Sequence, residues 1–135
     1  MFKFWPVKVW TNKVYHLTPF ELKDNVPFEV KRVYWVTQSP GIPTGQHCHY
    51  EEQEVFVCAA GTMTAVIDKG QGKEMIEMKE GDAIYVPNFV WHGFENLTAE
   101  SVLLAFSSTN YKADLSDYCM DYDVYVAEHR SKIAN

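Results

Sequence analysis

The stretch Gly41–Gly61, GIPTGQHCHYEEQEVFVCAAG, decides how this chain is read. His47 and His49 stand two apart, and Glu54 opens an apolar run that ends at Gly61. Side chains alternate faces along a strand, so the two histidines point the same way if residues 47–49 are extended. Cys48 between them then faces away, as a small core residue. Glu54 heads VFVCAAG, which argues that it points inward, where an unpaired charge would be costly. Downstream, GDAIYVPNFVWHGFEN (81–96) sets His92 just beyond a turn holding Pro87. His47, His49, Glu54 and His92 form a ligand set suited to a first-row transition ion.

The surrounding chain predicts an all-β fold. Short runs rich in Val, Tyr, Phe, Trp and Thr recur at near-regular spacing: VKVW, FEVKRVYWVT, EVFVCAA, MTAVID, EMIEM, AIYVP and SVLLAFSS. Turn residues separate them, and that pattern predicts a sandwich or barrel. DKGQG (68–72) reads as a hairpin tip and KEGD (79–82) as a second tight turn, with Gly81 free to take positive φ. Helix is expected only in the tail, roughly Leu115 to Ile133. Tyr118, Tyr122 and Tyr125 have helix-like spacing there, and Tyr118 and Tyr122 read as packing residues.

Composition narrows the classes of function. The 135 residues are 47% hydrophobic, enough for one globular domain over 1–135. The formal net charge is -6 and no basic run occurs, which argues against nucleic acid or an anionic membrane as the main partner. No apolar run is long enough to span a membrane, and the opening MFKFWPVKVW lacks a signal-peptide pattern. Three cysteines at unrelated spacings fit a reducing setting, so the cytoplasm is the expected compartment.

Two blocks carry a resemblance. From Gly41 the order is Gly, five residues, His-x-His, four residues, Glu, six residues, Gly. From Gly81 it is Gly, five residues, Pro, four residues, His, three residues, Asn96. Together they resemble the paired motifs of the cupins, small jelly-roll β-barrels with a site inside the barrel. Phe89 departs from the pattern, standing where the second motif usually has Gly.

A narrower likeness covers most of the chain. Arg32 and Tyr34, His47 and His49, Trp91 and His92, and Asp117, Tyr118, Asp121 and Tyr122 resemble the pattern of the sugar nucleotide 3,4-ketoisomerases. The resemblance implies an enzyme acting on dTDP-4-keto-6-deoxyglucose for deoxyaminosugar and surface-glycan (lipopolysaccharide, O-antigen) synthesis in bacteria. It implies no required cofactor, and a homodimer in which the apolar N-terminal strand is exchanged. It puts proton transfer between C3 and C4 on the histidine pair, with His49 as the base, His47 as its partner and Tyr34 as a donor to the enediolate oxygen. Arg32 and Arg130 are the only arginines. Arg32, with Lys31 beside it, is therefore the expected diphosphate contact. Trp91 and His92 complete the expected substrate-binding set.

Three departures stand against that likeness. Thr44 replaces the Arg of an Arg-Gly pair, no Asp-x-Arg-Gly segment appears in VWTNKVYHL (9–17), and Glu54 stands where Gln is expected. Glu54 completes a metal set, so a metal cupin is the second reading: an oxygenase or metal-dependent isomerase holding iron, manganese, nickel or zinc on His47, His49, Glu54 and His92. A non-catalytic sugar-binding module is the third.

Overall fold

A computed structural model describes residues 2–11 and 14–133. Twelve strands are formed: β1 (Lys3–Pro6), β2 (Trp10–Thr11), β3 (His16–Leu17), β4 (Arg32–Thr37), β5 (Thr44–His49), β6 (Glu54–Ala60), β7 (Thr62–Asp68), β8 (Lys73–Lys79), β9 (Asp82–Val86), β10 (Trp91–Glu95), β11 (Val102–Ser107) and β12 (Tyr118–Cys119). One five-stranded sheet has the order β1-β9-β6-β11-β4 and the other β12-β5-β10-β7-β8; β2 and β3 form a separate ribbon. The two sheets share an apolar filling that includes Phe56, Ile84 and Leu103 from the first and Met63, Ile67 and Phe94 from the second. This is the expected jelly roll.

Each sheet also buries its outer face. Val55, Val57, Ala83 and Phe106 lie beneath Trp5, Val7, Phe20 and Phe28 on the first. Cys48, Trp91 and Cys119 lie on the second, beneath Tyr125 of the C-terminal turns. Those turns begin at α2 (Tyr122–Val124), capped by the Asp121 carboxylate, which accepts from the Asp123 and Val124 amides. They continue as a π-type turn over Tyr125–His129 and a 3₁₀ turn over Arg130–Lys132.

Some expectations shift. VKVW (7–10) is not one strand: β1 lies earlier, paired with β9 from Lys3↔Tyr85 to Pro6↔Asp82. Pro6 then ends the ladder, having no N–H to donate. A helical turn outside the tail, α1 (Leu22–Asn25), was not expected. Tyr118 belongs to β12 rather than to the helix. β10 escapes the alternation rule because four of its five residues are buried, Trp91 and Gly93 as well as His92 and Phe94. Both predicted turns form; Gly81 has φ +93°, and a Cβ there would come within 2.7 Å of Val9 Cγ2. Among the described residues, no helix is long and apolar enough to cross a membrane.

The β7–β8 tip also anchors the C-terminal turns. Asp68 is fully buried and accepts from the Gly70 amide (2.8 Å), Tyr122 Oη (2.8 Å) and Arg130 (2.7 Å). Burial pushes this carboxyl up, but the Tyr122, Gly70 and Arg130 donors outweigh it and hold it below the usual 3.8. A lowered folded value means the stabilisation is present above about pH 4 and is lost as pH falls through that value. Asp68→Ala leaves Arg130, Tyr122 and two amides without their acceptor, and urea unfolding at pH 7 should show a loss of about 3 kcal/mol. The same variant should differ less from the parent at pH 3.

Candidate active site

The site spans the gap between the sheets. Strand β5 turns His47 and His49 inward, and antiparallel pairing sets His92 of β10 opposite His47. From the facing sheet come Glu54 at the start of β6, Tyr34 and Arg32 of β4, and Ser107 of β11, which pairs with both Glu54 and Arg32. Alternation on β4 is regular: Arg32, Tyr34 and Val36 are partly buried, while Val33, Trp35 and Thr37 are exposed.

The three imidazoles converge. Their ring nitrogens lie within 4.8 Å of one another. His47 Nε2 and His49 Nε2 are 3.1 Å apart. Carboxylates surround His49: Glu52 Oε2 at 3.1 Å and Glu54 Oε1 at 3.2 Å from Nε2, and Asp117 Oδ2 at 3.2 Å from Nδ1. The Asp117 approach is close but poorly directed, so Nδ1 makes no hydrogen bond and the contact is an electrostatic one. Asp117 is itself fixed by the backbone amides of Glu51 (2.7 Å) and Glu52 (3.2 Å). The second Glu54 oxygen accepts from Tyr34 Oη at 3.1 Å. A continuous path therefore runs His47–His49–Glu54–Tyr34.

These contacts set the charges. Burial pushes the His47 imidazole down to about 2, and the neighbouring His92 and His49 rings add to the fall. Burial lowers His92 to about 4, against the pull of Glu54. Burial would lower His49 too, but Glu54, Glu52 and Asp117 raise it above its usual value. Of the three rings His49 therefore holds a proton most readily, beside two that burial keeps neutral at pH 7. Tyr34 is pushed up by burial and by the two glutamates, so it remains a phenol and a donor.

The expected residues separate into three groups. His47, His49, His92, Glu54 and Tyr34 come together. Arg32 sits at the edge, its guanidinium donating to Glu52 Oε1 (2.7 Å) and lying near the Tyr34 and Tyr111 rings. Lys31 and Trp91 stand apart from the cluster. Lys31 is exposed. Trp91 faces the other way, packed against Tyr122 and Tyr125, because His92 beside it takes the inner face of β10. The substrate-binding role expected for Trp91 is thus replaced by packing.

Sequence reasoning gave no site role to Glu52, to Asp117, which entered only through the resemblance, or to Ser107, whose hydroxyl also donates to Glu52. It also read Tyr118 as tail packing. Its ring lies edge-on to His47 (4.9 Å) and His49 (4.6 Å), because Tyr118 pairs with His49 across β12 and β5. The DY pair at 117–118 was the available signal.

The imidazole trio would also fit a metal ion. His92 Nε2 is buried with no hydrogen-bond partner. His47, His49 and His92 would hold the ion. Glu54 is less free, because both its oxygens are engaged and the nearer one stands 3.9 Å from His92 Nε2.

Comparison with known proteins agrees with this architecture. The FdtA family, described as WxcM-like, C-terminal, matches residues 3–130. The chain belongs to that family. A curated FdtA-type relative is a TDP-4-oxo-6-deoxy-alpha-D-glucose-3,4-oxoisomerase of Aneurinibacillus thermoaerophilus. It is 31% identical over 109 residues, 79% of this chain and 77% of the relative. The sugar 3,4-ketoisomerase QdtA of Thermoanaerobacterium thermosaccharolyticum, solved in complex with TDP, superposes with a TM-score of 0.85. It is 29% identical and the match covers 98% of this chain and 97% of that one. A Helicobacter canadensis 3,4-ketoisomerase superposes with a TM-score of 0.81 at 25% identity, over 93% and 95% of the two chains. The fold is thus the cupin barrel of these enzymes.

Side-chain ¹⁵N spectra should show His47 and His92 neutral at pH 7, and His49 keeping its second proton to a higher pH than either. The first two histidines also set an acid limit. Below about pH 6.5 the unfolded chain binds protons that the folded rings refuse, so stability falls as pH falls. His49 acts in the opposite sense, because its folded value is raised: its contribution is full below about 6.5 and is lost as pH rises through the folded value.

Proposed function

We propose that this chain is an isomerase that moves the carbonyl of TDP-4-keto-6-deoxyglucose from C4 to C3, without a required metal. The observation that carries the mechanism is the unbroken path from His47 through His49 and Glu54 to Tyr34, with gaps of 3.1, 3.2 and 3.1 Å. His47 and Tyr34 both line the small cavity between the sheets, and His49 and Glu54 join them from behind. The family resemblance had favoured His49 as the base. The charges support His47 in that place, since it is a neutral ring that faces the cavity and, of the two such rings, the one 3.1 Å from His49.

The atoms then balance. His47 takes the C3 proton and the C3–H electron pair becomes the C3=C4 double bond. His49 hands its proton to Glu54, Glu54 replaces the Tyr34 proton, and Tyr34 donates to the C4 oxygen, giving the enediol. Every transfer then reverses onto the other atoms. His47 returns its proton to C4, and the C3 hydroxyl proton passes through Tyr34 and Glu54 back to His49. One proton stays within the His47–His49 pair throughout, so two adjacent imidazoliums never form. General acid–base steps of this kind contribute roughly 10²–10⁴-fold each.

Arg32 lies at the edge of the site, and its guanidinium, 24% exposed and paired with Glu52, is the expected contact for the diphosphate on the solvent side. A metal is the second reading, favoured by the unpartnered His92 Nε2. An ion bound on His47, His49 and His92 would act as a Lewis acid toward the C4 oxygen. The binding-module reading has less support, since the whole polar set is present. A homodimer in the cytoplasm completes the proposal. Trp35 (65% exposed), Trp10 (53%) and Phe4 (42%) lie bare near the β1 and β4 edges, where a second copy would cover them. Sedimentation should give twice the 15.6 kDa chain mass.

Turnover of TDP-4-keto-6-deoxyglucose, followed by NMR, tests the reading. It should persist after chelator treatment. His49→Asn and His47→Asn should each lower kcat by about 10³-fold, and Tyr34→Phe by about 10². Glu54→Gln keeps the shape but breaks the relay, and should lower kcat more than it changes KM. Turnover that disappears on chelation and returns with one added metal would instead support the second reading.

A further inference from the structure

Two of the three cysteines face each other. Cys48 and Cys119 stand directly opposite across β5 and β12, on the side turned away from the histidines. Both are buried free thiols, and they interact within one small cluster with Trp91 and Tyr125. Cys58 lies on β6 of the other sheet, its thiol directed at the Ala60 and Gly61 carbonyls. Only the Cys48–Cys119 pair is therefore within reach of an internal bond. Directly opposite residues of an antiparallel pair have Cα atoms about 4.5–5.5 Å apart, inside the range of about 4.4–6.8 Å that a disulfide accepts. The register of β5 and β12 thus already suits the bond.

The bond would sit directly behind the site. Cys48 lies between His47 and His49, and Cys119 follows Asp117 and Tyr118, whose ring is edge-on to both histidines. Opposite residues hold their Cβ atoms about 4.5–5.5 Å apart, whereas a disulfide draws them to about 3.8 Å. Joining the pair therefore contracts the outer face of β5 and β12 by about 1 Å, and a misplacement of that order can cost roughly 10²-fold in rate. Access comes from the edge. β12 is two residues long, ends its sheet, and is followed by the exposed Met120. A short edge element of this kind opens locally at low cost, which bares Cys119 while Cys48 stays on β5.

We propose that Cys48 and Cys119 form a reversible disulfide that slows turnover, with a small-molecule disulfide of the glutathione class as the oxidant. When β12 opens, the Cys119 sulfur gives up its proton and attacks one sulfur of the oxidant. The oxidant's S–S bond breaks, and one glutathione leaves as the thiol with that proton. Re-docking of β12 returns the mixed disulfide to Cys48, whose sulfur displaces the second glutathione in the same way. Two protein thiols are oxidised and one oxidant disulfide is reduced to two thiols. Excess thiol reverses both steps. Disulfides in reducing compartments are typically transient and serve catalysis or redox sensing. The bond itself is independent of the isomerase reading; its effect on turnover rests on it.

Incubating the whole chain with glutathione disulfide, alkylating it in denaturant and mapping its peptides by mass spectrometry tests this beside turnover of the keto substrate. One alkylated cysteine, Cys58, and a linked Cys48–Cys119 peptide pair are expected. With them kcat should fall about 10–100-fold and recover in dithiothreitol. Cys119→Ala should keep the rate of the reduced parent and lose both the bond and the response, while Cys58→Ala should keep both. Three alkylated cysteines, or glutathione retained on Cys119 with no internal bond, would overturn the proposal. So would a fully linked protein that turns over at the reduced rate. A reduced protein without turnover would remove the isomerase reading and the effect on rate, and the peptide map would still decide the bond.

Discussion

A buried imidazolium must be surrounded by compensating charge, and His49 is the place where this chain meets that demand. Desolvation alone would strip its proton, because transfer of a bare cation into an apolar interior is costly. Glu52, Glu54 and Asp117 reverse the outcome. Each then needs its own support. Asp117 is held by two backbone amides, Glu52 by Arg32 and Ser107, and Glu54 by Tyr34. The partners come from β4, β5, β6, β11 and the segment before β12, so the charged cluster can exist only once both sheets are in register. Fold and site are one problem here.

That arrangement also explains the contrast among the three histidines. All face one small space, yet only His49 is shifted toward its charged form. His47 and His92 are lowered by burial and by the cation beside them. A proton arriving at His47 is therefore disfavoured until His49 releases its own, and Glu54 is the receiver within 3.2 Å. Coupling of this kind suits an isomerisation, in which one carbon gives up a proton and its neighbour receives one.

Much of this was legible in the sequence. The strands of the core, the two tight turns and the meeting of His47, His49, Glu54 and His92 followed from alternation and motif spacing. Other features were not, for physical reasons. β10 is buried on both faces, so it has no polar–apolar alternation to read. Glu52 looked like one of a solvated acidic run, Glu51-Glu52, and only the facing strand shows that Arg32 and Ser107 enclose it. Asp117 and Tyr118 lie more than sixty residues from His49 and reach it through the two-residue pairing of β12 with β5. Trp91 was included in the substrate-binding set, but His92 takes the inner face and turns its neighbour outward. Glu54 in place of the family's Gln was noticed as a metal ligand, while its hydrogen bond to Tyr34 emerged only from coordinates.

The central claim is that a proton, held by paired histidines, moves between C3 and C4. Running the reaction in ²H₂O and locating deuterium in the product by NMR tests it most directly. His47 is partly exposed, so the captured proton can exchange before it is returned. The account predicts deuterium bonded to C4 of the product. A fully converted product with only protium at C4 would mean that the hydrogen never became exchangeable at His47, as in direct transfer from carbon to carbon, and would contradict it.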